Sequence, residues 1–226
     1  PMATIEMKKK VYMICDKLRN QINLRETYVR VANKVSEQLN LSEAFVKAKH
    51  LGERVTFNFE NSVEYNRFID YIKAGDIHEA TRLISKNESG VWYQEEQEVS
   101  NYWKLAQHIV NLVQCINNGI NTDGTLADLV EWYANGGYVA DNAFRKFHTD
   151  KLGMLHLPKQ ADELTTIINK FYREFTERGV KAYQQFITDK KEYPTYKNQG
   201  YIQFVKPALR NGKRVVFVMV DAFRYE

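Results

Sequence analysis

The residues best suited to chemistry lie at the end of the chain, where an acid follows an apolar run. Six apolar residues, Val215 to Val220, show no alternation, and Asp221 follows them directly. Such a run is typical of a parallel strand covered on both faces, and active sites of open α/β sheets lie beyond the carboxyl ends of strands. A carboxylate there can ligate a divalent cation, which polarises a phosphoryl oxygen or activates a nucleophile. An aspartate that caps the next helix fits the same pattern, so periodicity alone leaves both interpretations open.

The residue identities of this segment are more specific than its periodicity. The hexapeptide Asp221–Glu226, after the run from Arg214 to Val220, resembles the opening signature of the PglZ domain, a branch of the alkaline phosphatase superfamily. Two upstream segments, 133–147 and 168–175, resemble the helical region that precedes the catalytic domain in PglZ proteins of bacteriophage exclusion (BREX) systems. The resemblance covers roughly the second half of the chain, from about Trp92, at the level of short motifs.

The resemblance implies a site that this chain begins but does not complete. Asp221 matches the first metal-ligand aspartate of the superfamily, whereas Arg224, Tyr225 and Glu226 match the signature without an assigned chemical role. The superfamily places a Ser or Thr nucleophile and further Asp and His ligands later in the chain. The complete protein is therefore expected to hold a divalent metal, zinc or manganese. Because no residue follows Glu226 in this chain, we expect the chain to bind no metal and to be inactive by itself.

The composition of the chain is typical of a folded protein in an aqueous environment. The chain has 226 residues, of which 44% are hydrophobic and 13% aromatic, enough to form one or two cores. No apolar run reaches the ~20 residues of a membrane helix, and no signal peptide is visible, so we expect a cytoplasmic location without a membrane partner. The net charge of +4 is too mild to predict nonspecific nucleic-acid binding. Cys15 and Cys115 show neither a disulfide framework nor zinc spacing.

The elements that would position the terminal strand are predicted to be helices. Apolar residues recur at helical spacing through most of the chain from Ile5 to Phe186, with turns at Asn87–Gly90 and Asn135–Gly137. One short alternating segment, Val55–Phe59, predicts a short strand or an extended connector. The longest stripe steps by three and four residues from Leu164 to Phe186. Such a stripe is more often a bundle core than a groove for a partner, and both interpretations stay open.

Other candidate chemistry is sparse. The five histidines show no metal-ligand spacing, and Gly136–Gly137 lacks the lysine of a phosphate loop. We expect surface pairs of small energetic value between His148 and Asp150, and between Asp141 and Arg145. The aromatic residues could stack nucleic-acid bases, but their helical spacing favours a place in the core.

The sequence therefore predicts a mainly α fold: a multi-helix bundle followed by a strand that begins a truncated α/β/α phosphatase-like domain. The predicted units are a helical region (1–88), a helical bundle region (89–205) and the start of the PglZ-type domain (206–226). The parent protein is expected to be a metal-dependent phosphoesterase, a phosphodiesterase or nuclease, acting on nucleic acid in phage resistance. This chain would serve as scaffold or docking site for other phage-defence proteins. The alternative is a self-contained helical interaction module without hydrolase activity.

Overall fold

The computed structural model describes residues 4–45, 47, 55–120, 124–191 and 201–216. These residues form helices joined by short turns, and none of them lies in a β-strand. The first half contains, in chain order, α1 (Ile5–Asn20), a 3₁₀ turn (Ile22–Leu24), α2 (Arg25–Gln38), α3 (Leu41–Ala44), α4 (Glu60–Ala74), α5 (Ile77–Glu88) and α6 (Val91–Glu95). The second half contains α7 (Gln97–Asn117), α8 (Leu126–Trp132), a π-helical turn (Tyr133–Gly137), α9 (Tyr138–Gly153), α10 (Ala161–Thr188), a second π-helical turn (Tyr201–Val205) and α11 (Lys206–Arg210). The mainly helical fold is confirmed.

Helix α7 is the centre of the bundle. It packs against α5, α6, α9 and α10, and 13 of its 21 residues are buried. Its two aromatic residues, Tyr102 and Trp103, contact Tyr65 and Phe68 of α4, with the rings of Tyr65 and Tyr102 stacked 3.7 Å apart. These rings are fully or almost fully buried. The prediction that the aromatic residues belong to the core is confirmed for this cluster.

One large hydrophobic core joins residues on both sides of residue 88. It runs from Tyr28 of α2 through α4, α5 and α7 to Phe175 of α10. A smaller cluster, Leu126, Leu129, Ala182 and Phe186, fixes the C-terminal half of α10 against α8. The stripe predicted on α10 is therefore core at Leu164, Ile168, Phe175, Ala182 and Phe186.

Several helix boundaries follow from local chemistry that the sequence displays. Asp76 caps α5 by accepting a hydrogen bond from the Glu79 backbone N–H at 3.1 Å. Thr125 and Asp128 form a reciprocal capping box at the start of α8. Gly75 ends α4 with a left-handed φ of 77°, a conformation that costs glycine nothing. Residues of these types predict helix starts and stops from sequence alone.

The strand predicted at Val55–Phe59 is wrong. These residues form a turn in which the backbone N–H groups of Thr56 and Phe57 donate to Glu60 Oε1, at 3.2 and 3.0 Å. The backbone N–H groups of Glu60 and Asn61 donate back to the carbonyls of Phe57 and Asn58. Local bonds to a carboxylate thus satisfy the backbone groups that a sheet would otherwise have paired.

The strand predicted near the C-terminus has no support in the described residues. Residues 213–216 have no regular secondary structure, and the remainder of that segment lies outside the described residues. Before it, Pro207 lies in the first turn of α11, where proline is tolerated, and Gly212 turns the chain with a φ of 69°. The start of an α/β/α domain therefore stays a prediction.

Candidate docking surface

The sequence predicts one metal ligand, Asp221, and three signature residues without an assigned role. Asp221, Arg224, Tyr225 and Glu226 all lie outside the described residues. Within the described ranges, no group of three or more His, Cys, Asp or Glu side chains could hold a metal ion. The geometry that the structure does provide points to a surface for binding another molecule, and it lies at the opposite end of the chain.

Helix α1 is the least buried long helix among those described. None of its 16 residues is buried, although six of them are large and apolar with more than half of their surface exposed. These residues are Ile5, Met7, Val11, Tyr12, Met13 and Ile14. Monomeric proteins usually expose large apolar side chains singly, so a cluster of six on one helix indicates a surface that binds something.

A groove between α1 and α2 continues this apolar surface. It encloses about 350 Å³ and is lined mainly by apolar side chains. The lining residues are Val11, Tyr12, Cys15, Leu18, Arg19, Tyr28, Val31, Ala32, Val35, Thr56 and Phe57. A groove between two helices with an apolar lining is the form of site that receives an amphipathic helix.

A hydrogen-bonded chain fixes the two helices relative to the rest of the bundle. Arg19 Nη2 donates to the Tyr28 hydroxyl at 2.9 Å, and this hydroxyl donates to the Thr56 carbonyl at 3.0 Å. The guanidinium of Arg19 also lies over the Tyr28 ring, 5.1 Å from its centre. Burial raises the pKa of Tyr28, and the positive charge of Arg19 opposes that shift. The Tyr28 hydroxyl in the floor of the groove is therefore held in place and neutral at physiological pH.

The positive charge of the protein is concentrated on the same two helices. Residues 1–38 carry eight Lys or Arg and four Asp or Glu, while the other 188 residues carry 24 of each. The whole net charge of +4 thus comes from the segment that forms α1 and α2. Composition alone made this charge look mild, because it averaged a basic segment with a neutral remainder. We define residues 5–38, with the groove between α1 and α2, as the docking face.

Three of the polar residues predicted to form surface pairs, Asp141, His148 and Asp150, contact residues of other helices or turns. Asp141 accepts hydrogen bonds from the hydroxyls of Tyr133 and Tyr172, at 2.5 and 2.6 Å, and these anchor the π-helical turn to α10. Asp150 contacts Nε2 of His108 at 2.8 Å, whereas His148 contacts Asn169. The expected pairing of His148 with Asp150 is therefore wrong, because α7 and α10 bring other partners closer.

A second cavity, of about 370 Å³, lies where the π-helical turn meets α7. Its lining is rich in amides, with Asn111, Gln114, Asn118 and Asn135, and Cys115 lies at its base. The Cys115 thiol donates weak hydrogen bonds to the carbonyls of Gly136 and Gly137, and burial raises its pKa. This thiol is protonated and structural, so the cavity offers no nucleophile.

The structure contains no helix long and apolar enough to cross a membrane among the residues it describes. No protein-family model, curated protein or solved structure matches this chain. The resemblance to PglZ proteins therefore rests on the quoted sequence motifs, and the docking face rests on the geometry described above.

Proposed function

We propose that this chain is the helical region of a PglZ-type metal-dependent phosphoesterase of bacterial phage resistance, and that it acts as a scaffold and docking domain. The single observation that carries the docking role is the set of exposed apolar side chains on α1, which adjoins a groove within the segment, α1 and α2, that carries the whole net positive charge of the chain. The PglZ assignment is supported by the signature that begins at Asp221.

The occupant that best fits the docking face is an amphipathic helix of another protein with an acidic polar side. The apolar side of such a helix would cover Val11 and Val31, which are 56% and 48% exposed. Its carboxylates would face the exposed basic side chains of α1 and α2. Charge complementarity of this kind raises association rates and discriminates among partners. A second copy of this chain carries the same positive charge on this face, so a face-to-face dimer would be repelled.

The docking role is tested with two designed helical peptides that share one leucine face and differ only in acidic or basic polar residues. We expect the acidic peptide to bind and the basic one to bind at least about tenfold more weakly, a difference of about 1.4 kcal/mol. Val11→Asp should abolish binding of the acidic peptide, because it places a charge on the apolar face. Val180→Asp is the matched control, since Val180 is an equally exposed valine, at 55%, on α10.

Two results would overturn the acidic helix as occupant. One is equal binding of both peptides. The other is a concentration-dependent dimer in analytical ultracentrifugation that Val11→Asp dissociates, which would make a second copy the occupant. Binding to phosphatidylserine vesicles in place of the peptide would equally remove the proposal, because a lipid surface needs only positive charge and an apolar helix.

The enzymatic part of the proposal requires the complete gene product. If Asp221 is a ligand, the complete protein should bind zinc or manganese and hydrolyse phosphodiesters, and Asp221→Ala should remove both properties. If Asp221→Ala leaves metal content and hydrolysis unchanged, the PglZ assignment fails and the self-contained interaction module takes its place. Arg224→Ala, in the same signature, tests whether a side chain without an assigned role affects either property.

A further inference from the structure

A third cavity lies on the other side of Arg19, between α1, α5 and α6. It encloses about 220 Å³, below the ~300–1,000 Å³ typical of pockets for drug-sized ligands. Its lining residues are Arg19, Val55, Asn61, Lys86, Asn87, Ser89, Gly90, Val91 and Trp92. Two of these side chains are cations and none is a carboxylate. The cavity therefore selects by charge for a small anion.

Two of the lining residues each carry a buried donor that contacts no acceptor among the described residues. These donors are the Nε–H of Arg19 and the indole Nε1–H of Trp92. Trp92 is only 2% exposed, and it forms part of the cavity wall. A buried donor without an acceptor costs roughly 1–3 kcal/mol. Both groups are hydrogen-bond donors only, so a ligand that pairs with them must provide acceptor atoms.

The surrounding contacts hold these donors in position. Arg19 is anchored through its Nη2, which donates to Tyr28, and this leaves its Nε for another acceptor. Lys86 donates to Glu64 Oε2 at 3.1 Å, while Arg67 donates to Glu64 Oε1 at 3.0 Å. Glu64 is thus shared by two cations and does not line the cavity, so the positive charge of Arg19 and Lys86 is not fully balanced there.

We propose that this cavity is a binding site for a phosphate group, either as inorganic phosphate or as the terminal monoester of a larger ligand. The donors come from three separate elements, α1, α5 and α6, and a tetrahedral anion with four oxygens can accept from several directions at once. A carboxylate offers two oxygens in one plane and suits a single bidentate arginine. The indole N–H can donate only to an acceptor, which excludes a cationic ligand.

The first test is isothermal titration with inorganic phosphate at constant ionic strength set by chloride. We expect saturable binding to one site and no binding of acetate at the same concentration. Arg19→Gln should weaken phosphate binding about tenfold or more, because it removes a charge-assisted hydrogen bond. Arg30→Gln is the matched control, since Arg30 is an exposed arginine of α2 outside the cavity and loses the same charge; we expect less than a twofold change.

A second pair of variants keeps the test decisive if the arginine variant alters the fold. Trp92→Phe removes the indole N–H but keeps an aromatic ring. Trp103→Phe removes an indole N–H that is also buried without an acceptor among the described residues, but Trp103 does not line this cavity. Both substitutions alter the core, so their effects on stability do not distinguish the two variants. Their effects on phosphate affinity do. We expect a loss of binding with Trp92→Phe and none with Trp103→Phe.

The two sources of the phosphate group are distinguished by comparing inorganic phosphate with O-phosphoserine. Similar affinities indicate a site for the free ion, whereas phosphoserine that binds more than tenfold tighter indicates a monoester on a larger ligand. Either result supports the site. The proposal is wrong if no saturable phosphate binding occurs, if acetate competes equally, or if Arg30→Gln weakens binding as much as Arg19→Gln. None of these outcomes depends on the docking peptides.

Discussion

Two stacked tyrosines of the core, Tyr65 and Tyr102, differ in one hydrogen bond. The Tyr102 hydroxyl donates to the backbone carbonyl of Tyr65 at 3.1 Å, whereas the buried Tyr65 hydroxyl contacts no acceptor among the described residues. Burial raises the pKa of both hydroxyls, and Glu98 and Glu96 add to the shift at Tyr65. Both hydroxyls are therefore neutral, and their value to the fold depends on hydrogen bonding alone.

We predict different effects on stability from removing these two hydroxyls. Tyr102→Phe should lower the free energy of unfolding by about 1 kcal/mol, because one net hydrogen bond is lost. Tyr65→Phe should leave it unchanged or raise it, because an unpaired buried polar group disappears. Urea unfolding of both variants measures the difference, and each serves as the control for the other. Equal losses would show that the Tyr65 hydroxyl has a partner.

A pH effect is expected at Glu60. Burial raises the pKa of this carboxyl above its ordinary value near 4.5, although bonds from the Phe57 and Thr56 N–H groups partly oppose the shift. The folded protein then holds the proton more tightly than the unfolded chain. The contribution of Glu60 to stability therefore falls as pH rises from about 4.5 through the raised pKa.

Glu60→Gln isolates this contribution, because glutamine keeps an oxygen to accept the two N–H groups but does not ionise. Stability of the variant relative to the natural protein should increase as pH rises through that window. Urea midpoints between pH values on both sides of it provide the measurement. Glu26→Gln, at an exposed position of α2, should show a flat difference. A flat difference for Glu60→Gln as well would mean that the pKa of its carboxyl is not raised.

At the scale of the elements, α1 and α7 represent the two extremes of burial. Helix α1 has no buried residue, and α7 has 13. Local opening costs least where few apolar contacts are lost. We therefore predict that amide hydrogens of α1 exchange fastest and those of α7 slowest among the long helices. Hydrogen exchange followed by mass spectrometry measures this order, and uniform protection would contradict it.

Tyr28→Phe refines that experiment. The change removes the hydrogen bonds that join Arg19 of α1 and Thr56 to α2. Exchange in α1 should become faster, while α7 should be unaffected because its contacts are elsewhere. Protection of α1 by the acidic peptide, and not by the basic one, would map the docking face directly.

The elements also show what the sequence could and could not predict. The 3.6-residue repeat of apolar residues predicts the helices. Asp76, Gly75 and Thr125 predict helix ends, because their side chains or backbone conformations act locally. The strand predicted at Val55–Phe59 is wrong because a strand needs a neighbouring strand to pair with, and local sequence does not show whether one is present. The exposed face of α1 was hidden for the same reason. An apolar stripe looks identical whether another helix covers it or none does, and only the three-dimensional arrangement distinguishes them.

At the scale of the whole molecule, the core crosses the boundary predicted at residue 88. Tyr65 and Ile84 lie in the same cluster as Trp103 and Phe147. Conversely, none of residues 204–216 is buried. The shared core predicts that the regions before and after residue 88 fold together.

The 226-residue chain should therefore unfold in one transition, because one hydrophobic core joins both sides of residue 88. Fragments 1–88 and 89–191 should not fold separately, since each would expose half of one core. Urea unfolding followed by circular dichroism tests both expectations. Two independent transitions in the 226-residue chain would instead support separate domains.

Cys15 is a natural site for covalent labelling of the docking face. The chain has two cysteines, and Cys115 is 8% exposed, with a thiol that stays protonated because burial raises its pKa. Cys15 is half-buried and lines the groove between α1 and α2. A maleimide dye or nitroxide label will therefore attach at Cys15 first, without any engineered residue. Its emission or spectral line shape then reports whatever enters the groove, including a ligand present in a crude extract.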